Sequence, residues 1–167
     1  MYKYLIYFLA FSFFGWCAEV VYCSMKDGRL VNRGLARGPI CPIYGVGMCL
    51  SVLLLGSVKN FFLLALLSMA VATLVEFALG YLSHKILGSR LWDYTDEKGN
   101  ILGYVCPRFS LIWGFVCASV IKLLPFVEPI INRLDAPPFY AVSFILLVIS
   151  IVDIKTSMSV ERNKNSA

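Results

Sequence analysis

The stretch Phe14 to Gly47, FGWCAEVVYCSMKDGRLVNRGLARGPICPIYGVG, decides how this chain is read. One acidic residue, Glu19, stands inside an otherwise uncharged run, a basic loop follows, and apolar sequence resumes through Gly38-Pro39-Ile40-Cys41-Pro42. Glu76 also sits in an apolar run, and after a polar loop comes Gly103-Tyr104-Val105-Cys106-Pro107. Both halves therefore read acid, loop, Gly-x-x-Cys-Pro. An ionisable side chain within a spanning segment costs about 3 kcal/mol on insertion scales, so each glutamate is a candidate functional residue.

Composition sets the class. With 59% hydrophobic and 15% charged residues among 167, and a mean hydropathy of +0.77, the chain has more apolar surface than a soluble core of this size can bury. The fold class is all-α integral membrane, because a bilayer core takes about 20 mainly apolar residues per helix. Candidate spans run over 4–25, 38–58, 61–83, 103–124 and, shortest, 138–154. This gives about five transmembrane helices in one transmembrane domain over 1–158, with a polar, frayed tail at 159–167. The first span is too long for the apolar part of a signal peptide and lacks a small-residue cleavage site, so it is read as retained.

Lysines and arginines divide unevenly between alternate faces. Lys26, Arg29, Arg33, Arg37, Lys85, Arg90, Lys98, Arg108, Lys155, Arg162 and Lys164 fall on one side, and Lys3, Lys59, Lys122 and Arg133 on the other. The positive-inside bias then places both long loops and the C-terminus in the cytosol and the N-terminus outside, in a bacterial plasma membrane. The net charge of +5 belongs to this asymmetry and not to nucleic-acid binding.

Local features add detail. The Gly-Pro-Ile-Cys-Pro stretch favours extended backbone before the second helix, which at membrane depth must be packed in protein or line a cavity. Arg29, Arg33 and Arg37 recur at intervals of four, but Gly28 and Gly34 oppose one uninterrupted helix; this loop either lies at an anionic leaflet or docks a cytosolic partner. Trp92 and Tyr94 are expected at the interface, with Asp93 between them. Pro125, Pro129, Pro137 and Pro138 predict a broken external piece before the last helix.

Superposing Cys41-Pro42 on Cys106-Pro107 aligns two tandem helix-loop-helix pseudo-repeats, about 4–58 and 61–124. Each has two spans, so the repeat is parallel, about an axis along the membrane normal, and brings Glu19 and Glu76 to similar depth across a central cleft. Their expected partners are each other, sharing a proton, or Arg37, Arg108, His84 and Lys85 at the rim. Such a pair suits a proton or a cation; the alternative is two carboxyl groups that only bond helices together.

The combination Phe14-Gly15-Trp16-x-x-Glu19, Arg37-Gly38-Pro39-x-Cys41-Pro42-x-Tyr44-Gly45, Glu76, Trp92-Asp93-Tyr94 and Gly103-x-x-Cys106 resembles the CmpB-like family of small bacterial membrane proteins, grouped as ABC-transporter permeases of type IV. The resemblance covers roughly residues 10 to 115 and departs from the family pattern at Pro107. It implies a permease-like transport component. The candidate set for binding substrate, proton or cation is Glu19, Glu76, Arg37, Cys41, Tyr44, Trp92, Asp93, Tyr94, Cys106 and Arg108.

Other chemistry finds less support. The six cysteines contain no Cys-x-x-Cys pair and read as small packing residues. With one histidine and no ligand spacing, neither a metal nor another cofactor is expected. No Gly-x-x-x-x-Gly-Lys sequence occurs, so an ATPase would be a separate chain. Five spans are few for an autonomous pathway, which leaves a separate cytosolic ATPase subunit or a homodimer as candidate partners beside the lipid bilayer. A membrane enzyme acting on lipid head groups through His84, Asp93 and loop arginines is the alternative, without a recognisable nucleophile; a non-catalytic structural or regulatory subunit is the other.

Overall fold

The computed structural model describes residues 2–32, 36–133 and 136–166. Five helices follow in order: α1 (Tyr2–Asp27), α2 (Pro42–Leu55), α3 (Phe61–Leu87), α4 (Pro107–Arg133) and α5 (Pro137–Ser166). Four of them, α1, α3, α4 and the Pro137–Val160 part of α5, are long and apolar enough to cross a membrane. A helix satisfies its own backbone polar groups within one segment, which is why apolar runs of this length adopt it in lipid.

α2 is the short member. Its 14 residues rise about 21 Å, less than the ~30 Å hydrocarbon core. The span expected over 38–58 is thus part extended and part helical. Cys41 is extended (φ −127°, ψ 93°) and Pro42 opens the helix, where its missing N–H costs nothing. The non-helical segment before α2 is tied into the protein: Ala36 and Ile40 are buried, the Cys41 N–H donates to the Ser12 carbonyl at 2.9 Å, and the Gly38 N–H donates to Asp153 Oδ2 of α5 at 2.8 Å.

α1 packs on α2 and α3 on α4, and contact between α2 and α3 joins the two pairs. The turn between α2 and α3 is short. Asn60 caps α3 by accepting from the Leu63 N–H at 2.9 Å, and Lys122 of α4 donates to the carbonyls of Val58 and Lys59 at 3.0 and 2.7 Å. Met48, Leu55, Leu64, Cys117, Ala118 and Ile121 form the core shared by α2, α3 and α4. Glycines set the closest approaches. A Cβ on Gly114 would lie 2.6 Å from Met69 Cβ and 2.8 Å from the Ala65 carbonyl oxygen, so α4 meets the α3 backbone there.

Two expectations about the C-terminal third are corrected. α4 runs unbroken to Arg133 through Pro125 and Pro129, which do not divide it into a separate external piece. Its buried stripe of Ser110, Gly114, Cys117, Ala118, Ile121 and Leu124 keeps helical register against α3, and the prolines, each missing one backbone bond, fall beyond that stripe. α5 then continues to Ser166, past the 138–154 stretch of highest hydropathy, so the segment expected to fray is helical. Arg33 and Gly34 of the first basic loop lie outside the described residues, and the described parts of that loop are not helical.

The second loop, 88–106, is a folded cap. Asn100 donates through Nδ2 to the carbonyls of Thr95 and Glu97, both at 2.9 Å, and accepts from the Gly103 N–H at 3.0 Å. Ile101 and Val105 form a bridge, and Trp92 Nε1 donates to the Tyr104 carbonyl at 2.8 Å. Gly103 has φ +72°, and a Cβ there would collide with Arg90 and crowd Asp93 and Thr95. Only glycine fits that turn.

Candidate functional site

Glu19 and Glu76 both line one partly open cavity of about 670 Å³ between the helices, with walls drawn from all five helices and from the 88–106 loop. Its lining is mostly apolar, including Phe11, Phe14, Met48, Val75, Leu79 and Val116. Polar groups reach it chiefly through the two glutamates, Tyr44, Tyr94, Trp92, Trp113, Ser83 and Cys41.

Each carboxylate is held by a phenol from another part of the chain. Tyr44 of α2 donates its hydroxyl to Glu19 Oε1, and Cys23 approaches Glu19 Oε2 with its thiol at 3.9 Å. Gly15, one turn before Glu19, gives Tyr44 its place, because any Cβ there would occupy the tyrosine ring. Tyr94 of the cap donates to Glu76 Oε1 at 2.9 Å. Gly80, one turn after Glu76, instead lets the cap's Trp92 and Tyr104 pack close to α3: a Cβ there would press on them at 3.0 and 3.2 Å. The rings are fixed in turn. Tyr44 meets Trp113 edge-on at 5.0 Å between centroids, and Tyr94 stacks on Phe109 at 4.9 Å.

The two acids differ in exposure. Glu76 is only 6% exposed, and its Oε2 has no hydrogen-bond partner among the described residues. Glu19 is half-buried. The ion pairs among the described residues, Lys3–Glu128, Arg90–Asp93 and Arg108–Glu97, include neither of them.

The basic partners expected for the pair are therefore corrected. His84 Nδ1 is bonded to the Tyr104 hydroxyl at 2.7 Å, Arg108 pairs with Glu97 at 3.5 Å, and Arg37 and Lys85 are exposed. Arg37 contributes its carbonyl, which accepts from Asn32 Nδ2 at 3.1 Å. Phenols displace cations at this depth because a neutral donor is far cheaper to desolvate than an ammonium or guanidinium group.

The remaining predicted residues divide between cavity and scaffold. Cys41 and Trp92 line the cavity. Trp92 and Tyr94 turn inward, while Asp93 faces out and braces the cap, its Oδ1 accepting from Arg90 Nη1 at 2.8 Å and from the Thr95 N–H at 2.9 Å. The hydrogen bonds from Thr95, then Arg90, hold the Asp93 carboxyl below the usual carboxylate range. Cys106 is buried at the start of α4, where its carbonyl accepts from the Ser110 N–H at 3.0 Å, and it does not line the cavity.

Trp113 and Phe109 were not singled out as site residues in the sequence. Their available signal was weak: an aromatic beside a glycine at Trp113-Gly114 and an aromatic directly after Cys-Pro-Arg.

Helices of spanning length around a shared, partly open cavity define a small multi-pass membrane protein. The chain belongs to the ABC-transporter CmpB family, described as "Putative ABC-transporter type IV", which matches residues 6–158. No curated protein and no solved structure matches it.

Proposed function

We propose that this protein is the permease-like component of a bacterial membrane transport system and that the cavity around Glu19 and Glu76 is where its cargo, or the ion coupled to it, binds. One observation carries the reading: two acidic side chains from different helices open into one intramembrane cavity, each aligned by a phenol and neither paired with a basic side chain among the described residues. An acid needed only to bond two helices together does not require a cavity of this size. Family membership supports the transport context.

In this reading the two hairpins form a parallel repeat. α2 and α4 each begin with a proline directly after a cysteine, and α1 and α3 each supply one glutamate. The loops and adjoining helix ends that carry Lys26, Arg29, Arg37, Arg90, Lys98 and Arg108 face the cytosol and offer a basic surface to a separate ATPase subunit. His84 and Asp93, the acid and base candidates of an enzyme, are both engaged in holding the cap, which favours transport over head-group chemistry.

The test is a mild-detergent pull-down of the tagged protein from its native membrane, with mass spectrometry of the bound chains. A stoichiometric ATPase supports a permease subunit, and recovery of the protein alone opposes it. With the system identified, Glu19→Gln together with Glu76→Gln is expected to abolish transport while insertion is retained. An active double variant would remove the cavity from the transport path.

A further inference from the structure

The cavity itself constrains what it can hold, and this step rests on reading it as a binding site. Its volume, about 670 Å³, lies within the ~300–1,000 Å³ range of pockets for small organic ligands. A bare metal ion or a proton needs far less room. A metal site would also need a cluster of ligands, and no group of three or more His, Cys, Asp or Glu gathers among the described residues. The walls are apolar and aromatic, which suits a ligand with an apolar body. Their two carboxyl groups have no Lys, Arg or His as ion-pair partner among the described residues. Tyr44 and Tyr94 spend their hydroxyl hydrogens on Glu19 and Glu76, so neither is left to donate to an anion.

A second observation points to a ligand. Glu76 is more than nine-tenths buried, lines the cavity, and keeps Oε2 unpartnered, although a buried acceptor without a donor costs about 1–3 kcal/mol. A cationic centre in the cavity would compensate the charge of both acids electrostatically, whether or not it carries an N–H donor. Trp113 and Trp92, which also line the cavity, offer aromatic surface of the kind that attracts cations.

We infer that the cavity binds a lipophilic organic cation, with its charged centre between Glu19 and Glu76 and its apolar body along the walls formed by α1, α3 and α4. Anionic and strongly hydrated solutes are excluded by the same groups, since an anion would meet two acids and a hydrated one would lose water to an apolar lining.

The test compares two ions of nearly identical shape and opposite charge, tetraphenylphosphonium and tetraphenylborate, on the full chain in lipid nanodiscs, with empty nanodiscs as the background. Saturable, stoichiometric binding of the phosphonium ion is expected, with the borate at least 10-fold weaker. Glu76→Gln and Glu19→Gln should each weaken phosphonium binding at least 10-fold, whereas Glu128→Gln, outside the cavity, should leave it unchanged. Equal binding of both ions, absence of saturable phosphonium binding, or full binding by the Glu19→Gln/Glu76→Gln double variant would each overturn the assignment. The ion comparison uses the unaltered protein, so it stands even if a variant fails to fold. A separate readout, glutamate-dependent flux in proteoliposomes with any co-purified ATPase, keeps the two readings apart. Phosphonium binding without such flux retains the cation site and rejects the transporter. Flux of another solute without phosphonium binding does the reverse.

Discussion

Tyr94 donates its hydroxyl to Glu76 across 2.9 Å, reaching from a surface loop into the face of α3 that lines the cavity. The loop is thereby part of the cavity wall. Its internal hydrogen bonds and its stacking on Phe109 of α4 set where the one well-buried carboxylate of the cavity finds its donor.

Tyr94→Phe removes that donor and leaves Glu76 with neither oxygen bonded among the described residues. The expected loss is about 1–3 kcal/mol, the cost of orphaning a buried acceptor. Thermal unfolding in detergent measures it, and the combination with Glu76→Gln provides the internal check. If the two changes are additive, the Tyr94–Glu76 contact carries no coupling and the prediction is wrong.

Gly114→Ala is expected to separate α3 from α4, since the new Cβ would lie 2.6 Å from Met69 Cβ and 2.8 Å from a backbone oxygen. Overpacking of this kind costs about 1–3 kcal/mol. Gly47→Ala is the control, because its Cβ would meet only Val75 Cγ1, at an ordinary 3.8 Å. Unfolding temperatures of the two variants should differ clearly, and equal values would contradict the close approach.

Asp153 ties α5 to the extended segment before α2 by accepting from the Gly38 N–H at 2.8 Å. Asp153→Ala should speed amide exchange at Gly38, consistent with a bond whose net worth is about 0.5–1.5 kcal/mol. Asp153→Asn keeps an acceptor oxygen and should restore most of the protection. Protection unchanged in the alanine variant would mean that the bond does not hold the segment.

The cap should be sensitive to acid through Asp93. Its folded pKa lies below the unfolded value of about 3.9, so its contribution is present above that value and is lost as pH falls through the folded pKa. Hydrogen exchange at Thr95, quenched after incubation at stepwise lower pH, should report loosening only below the ordinary carboxylate range. In Asp93→Asn that pH dependence should vanish. A wild-type loop that loosens between pH 5 and 7 would point to another group.

Much of the architecture was legible in the residues. α1, α3 and α4 follow from long apolar runs. The shortness of α2 was not, because hydropathy counts 38–58 as one apolar stretch whether its backbone is helical or extended; only the bonds made by Gly38 and Cys41 reveal the difference. Pro125 and Pro129 misled for a different reason. A proline's local cost was visible, but the contacts that Glu128 makes with Lys3 and Tyr7 of α1 between those prolines were not.

The sequence by itself determined the membrane class, the helices of spanning length, and the two acids standing in apolar runs. These are properties of single segments, set by the requirement that each buried backbone group be satisfied close by in the chain. Only the tertiary structure decided who meets those acids. Tyr44 lies 25 residues beyond Glu19 and Tyr94 lies 18 beyond Glu76, and both reach their partners across contacts between segments. The sequence pointed to the two acids as each other's partners or to basic residues at the rim. Packing chose phenols: Gly15 leaves room for the Tyr44 ring beside Glu19, the folded cap stacked on Phe109 places Tyr94 beside Glu76, and an apolar cavity penalises a second charge more than a neutral donor.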